Sequence, residues 1–502
     1  MDITNNFPIL LSIFPFFIFL FLLFVKKTTL LSASLSILFL YSILAFFYWQ
    51  MLPSYFFISY GKGILVAFDI LIIIFGAIFF LGILQDLKII KNISHYLSVI
   101  SKDYRVQVIM IAWFFECFLE GTAGFGTPAA IAVPLLVGLG LKPIRALIVG
   151  LLGNSIPGIF GAAGTPIKVG FATLNVSQIP VYASLLNFVG FIIPGFMLWI
   201  ITEGRENRKK EFFEALPFAI WSGILFVVPS FLIAKYVGQE FPTILGSIIG
   251  LTLAIISIKL KIFTPKNSLA ISENQEDVHT ISPFKSFLPY GILVVLLILG
   301  KFMLGKIGFP ISIVGLKHTF NLFNPGFIFI IVGILVAFVW KSKIEIFGKS
   351  VKSAIKGAIP PFLVIASMLT MVEVMKNSGY NLSDIPSAIN IIAHALESRL
   401  LPFFTPFAGS FGAFMTGSVT ASNVMFGSLF NTTAISMGIN SSIILALLVV
   451  GAGIGNMVAL ADILTAEAVI GEKNVEIKIV KGVLIPCVTC LILVGIIGMI
   501  IL

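Results

Sequence analysis

Phe118-Leu-Glu-Gly-Thr-Ala-Gly-Phe-Gly-Thr-Pro128 and Phe414-Met-Thr-Gly-Ser-Val-Thr-Ala-Ser-Asn423 are two polar, glycine-rich breaks in an otherwise strongly apolar chain. Each is followed by a second matching stretch, Ala146-Leu-Ile-Val-Gly-Leu-Leu-Gly-Asn154 and Leu447-Leu-Val-Val-Gly-Ala-Gly-Ile-Gly-Asn456. Irregular polar backbone at membrane depth is tolerated only where protein or a wet cavity covers it. Paired interrupted segments in corresponding halves point to the binding site of a transporter.

The surrounding composition sets the class. Of 502 residues 58% are apolar, 13% aromatic and only 11% charged, and mean hydropathy is +1.10. A soluble chain carries about twice that charged fraction. Apolar runs long enough to cross a bilayer recur from end to end. Candidate spans fall at 7–25, 29–52, 63–85, 146–166, 181–202, 215–236, 241–262, 286–305, 323–341, 357–376, 442–466 and 482–502. The expected fold is an all-α polytopic membrane protein of about 12 transmembrane helices. Two broken segments, 106–141 and 402–438, read as re-entrant helical hairpins that enter the membrane and return. The segment Met1–Val25 lacks a basic start and a small-residue cleavage site, so it reads as a first spanning helix and not a removed signal.

Charge gives the orientation. The net charge of +10 comes from clusters between apolar runs, which orient helices and do not suggest nucleic-acid binding. The clusters are Lys26 and Lys27; Lys88, Lys91, Lys102 and Arg105; Arg205, Arg208, Lys209 and Lys210; Lys341, Lys343, Lys349, Lys352 and Lys356; and Lys473, Lys478 and Lys481. Placing all five in the cytoplasm closes the topology, with both termini outside. The first hairpin then dips in from the cytoplasm and the second from outside, so the two form inverted repeats. The expected divisions are N-terminal spanning helices 1–62, a first repeat with flanking helices 63–264, a polar cytoplasmic linker 265–286 and a second half 287–502.

Candidate chemistry concentrates at the breaks. A half-helix that starts inside the membrane offers free N–H groups and its positive dipole end to an anion such as a carboxylate. Gly121, Gly124 and Gly126 allow close backbone approach, Thr122 adds a hydroxyl, and Thr127 with Pro128 suits the start of the returning helix. Thr416, Gly417, Ser418, Thr420, Ser422 and Asn423 are the matching set in the second hairpin. Asn154, Ser155 and Pro157, then Gly161, Gly164, Thr165 and Pro166, in one half and Asn456 in the other punctuate the following spans. The same small residues also serve tight helix packing, which stays open at this point. Glu120 is the most informative acid, because an intramembrane carboxylate is costly to leave charged and is therefore a candidate proton carrier. Glu116 lies one helical turn earlier, and Asp462 is the second candidate for proton coupling. Lys168 and Arg145 could pair with a carboxylate, but both lie near span ends and read first as cations that snorkel to the interface.

Other classes are disfavoured. No Walker loop appears, so ATP is not the expected energy source. No nucleophile elbow or His-Glu-x-x-His stretch appears, which argues against an intramembrane enzyme. The four histidines, His95, His279, His318 and His394, form no metal spacing. Cys117, Cys487 and Cys490 sit in apolar runs as packing residues, so no cofactor and no metal is expected.

The chain resembles the L-lactate permease family. The likeness rests on Phe118-Leu-Glu-Gly-Thr-Ala-Gly-Phe-Gly-Thr-Pro-Ala129 with Leu136-Val-Gly-Leu-Gly-Leu-Lys-Pro143, and on Gly409-Ser-Phe-Gly-Ala-Phe-Met-Thr-Gly-Ser-Val-Thr-Ala-Ser-Asn-Val-Met-Phe-Gly427. It covers nearly the whole chain. It implies a symporter carrying lactate, glycolate or a related 2-hydroxy monocarboxylate with protons across the plasma membrane, and an inverted-repeat hairpin architecture. There are departures. Where the family has Gly-Ser-Asp-Thr-Ser-Ser-Asn this chain has Gly417-Ser-Val-Thr-Ala-Ser-Asn423, so Val419 stands in place of an acid. After Asn456 the family's Ser-Pro-Gln-Ser pattern is missing and Asp462 is present instead. The alternative kept beside this is a sodium-coupled (Na+) transporter of another organic anion, such as a dicarboxylate. The sequence leaves a homodimer open.

Overall fold

The computed structural model describes residues 7–26, 28–124, 127–174, 176–269, 282–313, 316–470 and 475–502. Lys27, Gly126, His279, Lys473 and most of the linker lie outside the described residues. Ten helices are long and apolar enough to cross a bilayer, and two shorter apolar helices, Phe7–Leu23 and Pro325–Val339, join them. The chain is an all-α polytopic membrane protein, and each expected span coincides with one of these helices. Their outward faces carry bare apolar side chains, among them Phe47, Phe338 and Ile344, as lipid contact requires. The sequence reading missed three short elements. Ile89–Ser98 and Ala388–Ala395 are amphipathic helices just before the hairpins. Gly308–Ile313 pairs antiparallel with Leu316–Asn321, with Pro310 opposite Thr319.

The two halves run through the same elements in the same order. Pro53–Asp86 and Ile344–Asn377 are both 34 residues long, about 51 Å each at 1.5 Å per residue. Each is followed by its amphipathic helix, a hairpin, a broken helix and a last helix. The two long helices pack antiparallel along their length. Met51 bridges Asn381, Ser59 accepts from Asn377 Nδ2 at 2.9 Å, Lys62 pairs with Glu373 at 3.3 Å, and Asp86 accepts from Lys349 and Ser350. Flanking helices exchange partners in the same sense. Leu30–Phe47 packs on Ile344–Asn377, and Pro325–Val339 packs on Pro53–Asp86. The first helix, Phe7–Leu20, touches Ala388–Ala395, while Pro283–Leu304 touches Ile89–Ser98.

This antiparallel pair fixes the direction of both hairpins. The first follows the Asp86 end, where Arg105 ties its base to the linker side. Arg105 is fully buried and donates to both Asp103 oxygens, to the Glu211 carbonyl at 2.8 Å and to the Asn267 carbonyl at 2.9 Å. The second follows the Trp49 end, where Ser383 and Trp49 bond across the two halves. The hairpins therefore enter from opposite ends of the bundle. The returning arm Thr127–Gly138 has 12 residues, about 18 Å, and cannot cross a core of about 30 Å. The arms Leu401–Thr416 and Val419–Ser436 have 16 and 18 residues and fold back on each other across the turn at Gly417. The described basic clusters gather at the Asp86 end. Lys349 reaches Asp86, Arg205 reaches Glu211, and the Arg145 guanidinium lies beside Gly204.

Glycine sets the close crossing of Leu401–Thr416 with Ser441–Gly455. A Cβ on Gly409 would lie 2.0 Å from the Leu448 carbonyl oxygen, and one on Gly451 2.0 Å from the Pro406 oxygen. Backbone faces backbone on both sides, so neither neighbour has a flexible end to move. Gly451→Ala is expected to lower stability by roughly 2 kcal/mol or more, read as a fall in the melting temperature of the purified protein. Gly348→Ala, whose Cβ meets nothing within 4 Å, is the control and should not fall.

Candidate functional site

Both spans after the hairpins break in mid-course. Pro143–Ser155 passes into a tight Ile156–Phe160 turn, then into Ala162, Ala163 and Gly164, all left-handed at φ 40°, 53° and 78°. Two consecutive alanines in that region cost of order 1–3 kcal/mol each, so packing must enforce the geometry. It does: a Cβ on Gly164 would meet the Gln239 carbonyl at 2.3 Å. The carbonyls released by the break find side-chain donors. Thr243 donates to Pro157 O at 3.0 Å, Asn187 to Ile156 O at 3.1 Å and Asn423 to Pro166 O at 3.0 Å. The second half repeats the pattern as Ser441–Gly455, Asn456–Val458 and Leu460–Ile470.

The hairpin tips close on these breaks. Each first arm ends on a left-handed glycine, Gly124 at φ 58° and Gly417 at φ 65°. A Cβ on Gly124 would lie 3.1 Å from Ala162 Cβ, and one on Gly417 2.5 Å from Ala461 Cβ. Ser418 caps the returning helix by accepting from Ala421 N at 3.2 Å. The halves also meet each other: a Cβ on Gly158 would lie 3.6 Å from Val419 Cγ2. The result is one cleft lined by Glu120, Gly124, Gly158, Gly161, Ala162, Thr165 and Pro166 from the first half and by Gly417, Ser418, Val419, Thr420 and Asn456 from the second. Its volume is about 30 Å³, room for a water or two.

One acid, Glu120, lines this cleft, and two more, Glu116 and Asp462, are buried near it. Glu120 is nearly buried, with one oxygen pressed on Gly161, where a Cβ would lie 2.1 Å away, and the other without a partner. Glu116 is fully buried with neither oxygen paired, against Gly153. Asp462 is buried behind the cleft and bonds Asn456. Asp462 is near enough to Glu120 and Glu116 for their charges to interact. Among the described residues no lysine or arginine lines the cleft. Among the described residues no group of three His, Cys, Asp or Glu side chains gathers as a metal site.

The expected site residues divide. Glu120, Gly124, Gly417, Ser418, Thr420 and Asn456 line the cleft. Gly121 instead lets the helix pack on Ile244, 2.8 Å from where its Cβ would be. Thr122 and Thr416 bond their own helix carbonyls, and Ser155 bonds Leu152 O. Ser422 crosses to Gly409 O, and Asn423 crosses to the other half. Asn154 is fully buried with both side-chain atoms unpaired, away from the cleft lining. Gly126 is outside the described residues, and Thr127 opens the returning arm. The sequence reading noted Gly161, Thr165 and Pro166 as breaks but not Gly158 or Ala162. The run of small residues from Gly158 to Gly164 was their only signal.

A family profile described as L-lactate permease matches residues 8–311 and 309–502. The chain belongs to the L-lactate permease family. Among this family member's relatives, the Haemophilus influenzae protein named "Putative L-lactate permease" is 31% identical over 461 residues, covering 83% of this chain and 84% of that one. The Streptococcus iniae L-lactate permease is 29% identical, covering 76% and 81%. The Escherichia coli glycolate permease GlcA is 29% identical, covering 76% and 75%. Among solved structures, the Alcanivorax borkumensis YdaH transporter matches with a TM-score of 0.46 at 12% identity, covering 85% of this chain and 84% of that one.

Proposed function

We propose that this chain carries L-lactate, glycolate or a closely related 2-hydroxy monocarboxylate together with protons, by alternating access across the cell membrane. The observation that carries the reading is the cleft where both hairpin tips meet, with Glu120, one of whose oxygens has no partner, in its wall and no cation among the described lining residues. A carboxylate there is held by backbone N–H groups at the starts of the returning arms and by the hydroxyls of Ser418 and Thr420. Asn456, whose carbonyl oxygen has no partner, suits a 2-hydroxyl donor. Glu120 carries the proton, with Asp462 behind it. The small cleft volume corresponds to tips closed on one another, and their separation toward either face admits the substrate.

In this reading the first repeat includes the helices before residue 63, since they exchange partners with Pro283–Leu304 and Pro325–Val339. Its basic ends face the cytoplasm and both termini face outward. The named relatives carry monocarboxylates, lactate and glycolate, which favours a monocarboxylate over the dicarboxylate alternative. Coupling is tested with purified protein in liposomes and labelled L-lactate. An inward proton gradient is expected to drive accumulation that a protonophore abolishes. Accumulation driven by an inward sodium gradient at equal pH on both sides would instead assign sodium coupling.

A further inference from the structure

A second and larger cavity, about 590 Å³, opens beside the cleft. It lies on the face opposite the linker. Its walls come from Pro53–Asp86, from the end of the broken helix at Lys168 and Val169, and from the β-hairpin through Pro310, Ser312 and Thr319. Pro166 lines the cleft while Lys168 and Val169 line this cavity, so about one helical turn separates the two spaces.

Charge in the wall is unevenly neutralised. Lys62 pairs with Glu373 at 3.3 Å, and Lys301 pairs with Glu240. Asp69 shares the wall and has contacts of its own. Lys168 stands over the Phe323 ring, 5.5 Å from its centre, and makes no ion pair among the described residues. The Asp69 and Glu240 carboxylates feel its charge without bonding it. An ammonium in a cavity wall without an ion partner among the described residues calls for an anion. The apolar wall of Val66, Ile70, Ile73 and Phe323 suits a small organic anion over a strongly hydrated inorganic one.

We propose that this vestibule is a capture site in which Lys168 binds the carboxylate of a small monocarboxylate before it passes to the hairpin cleft. The proposal rests on the transport reading above and adds a site to it. The nearby Asp69 cancels much of the long-range field, so the capture acts at contact. It concentrates substrate at the cleft mouth and has no part in the conformational change. Its signature is therefore in KM and not in the maximal rate.

The test measures labelled L-lactate uptake from the vestibule face, in liposomes sorted for orientation, as a function of concentration. Lys168→Met is expected to raise KM roughly tenfold and to weaken its salt dependence, with the maximal rate nearly kept and Lys168→Arg close to wild type. Thr319→Glu, an exposed substitution on the β-hairpin wall, is expected to raise KM without touching Lys168, and it decides the matter if Lys168→Met fails to insert. Wild-type KM in both Lys168→Met and Thr319→Glu, with wild-type protein transporting normally, overturns the capture site alone. A wild-type protein that moves no lactate overturns the transport reading instead.

Discussion

Glu120→Gln is expected to abolish proton-driven accumulation of lactate, with a loss of tenfold or more, equivalent to about 1.4 kcal/mol or above. Glutamine keeps the shape against Gly161 and Gly124 but cannot take up or release a proton. The variant should therefore still insert, and it should still exchange labelled for unlabelled lactate across the membrane at equal pH. That pairing separates a coupling role from a packing role. A carboxyl that only held the hairpin together would damage exchange and insertion along with accumulation. Unchanged gradient-driven uptake would remove Glu120 from the mechanism. Glu116 gives a useful contrast. It lies fully buried one turn away with neither oxygen paired and does not line the cleft, so Glu116→Gln should affect accumulation less.

The second large effect concerns Asp462 and the position of Val419. Val419 lines the cleft at the tip of the second hairpin, where the family pattern has an acid. Asp462 sits behind the same cleft, bonded to Asn456 and within charge reach of Glu120. If one acid serves in place of the other, Asp462→Asn should cut proton-driven uptake severalfold. Adding Val419→Asp to that variant should restore much of it, because both positions abut the space around Asn456. The same uptake assay checks both steps. Rescue would be non-additive in the way expected of residues that share one function. If Val419→Asp fails to restore uptake in a well-inserted double variant, Asp462 has no such role.

Much of the fold is legible in the sequence, because apolar length and the two glycine-rich breaks are local signals. The expected spans match helices throughout, and the first arms of both hairpins end where the residues Gly124 and Gly417 demand it. What the sequence does not carry is which face of each break turns inward. Thr122, Ser155, Thr416, Ser422 and Asn423 look like ligand groups by composition, yet each donates to a carbonyl, of its own helix for Thr122, Ser155 and Thr416 and of a neighbouring element for Ser422 and Asn423. Gly121 looks like a tip residue and is a packing residue against Ile244. Conversely, the left-handed Ala162 and Ala163 carry no sequence mark, since alanine rarely adopts that conformation and only tertiary contact enforces it. Lys168 read as a cation reaching for the interface, and the β-hairpin that makes its surroundings a cavity was read as a loop between spans.

The central claim is that the second hairpin's tip reaches across and meets the broken helix of the first half. A double variant, Gly158→Cys with Val419→Cys, tests it. The Gly158 Cβ position lies 3.6 Å from Val419 Cγ2, within disulfide reach. A protease site placed in the linker between residues 270 and 281 allows the halves to be cut apart after mild oxidation. The expected result is that the cut halves stay joined on a non-reducing gel, that lactate slows the joining, and that uptake stops until a reductant is added. Halves that separate cleanly, although both thiols react with a maleimide, would contradict the account.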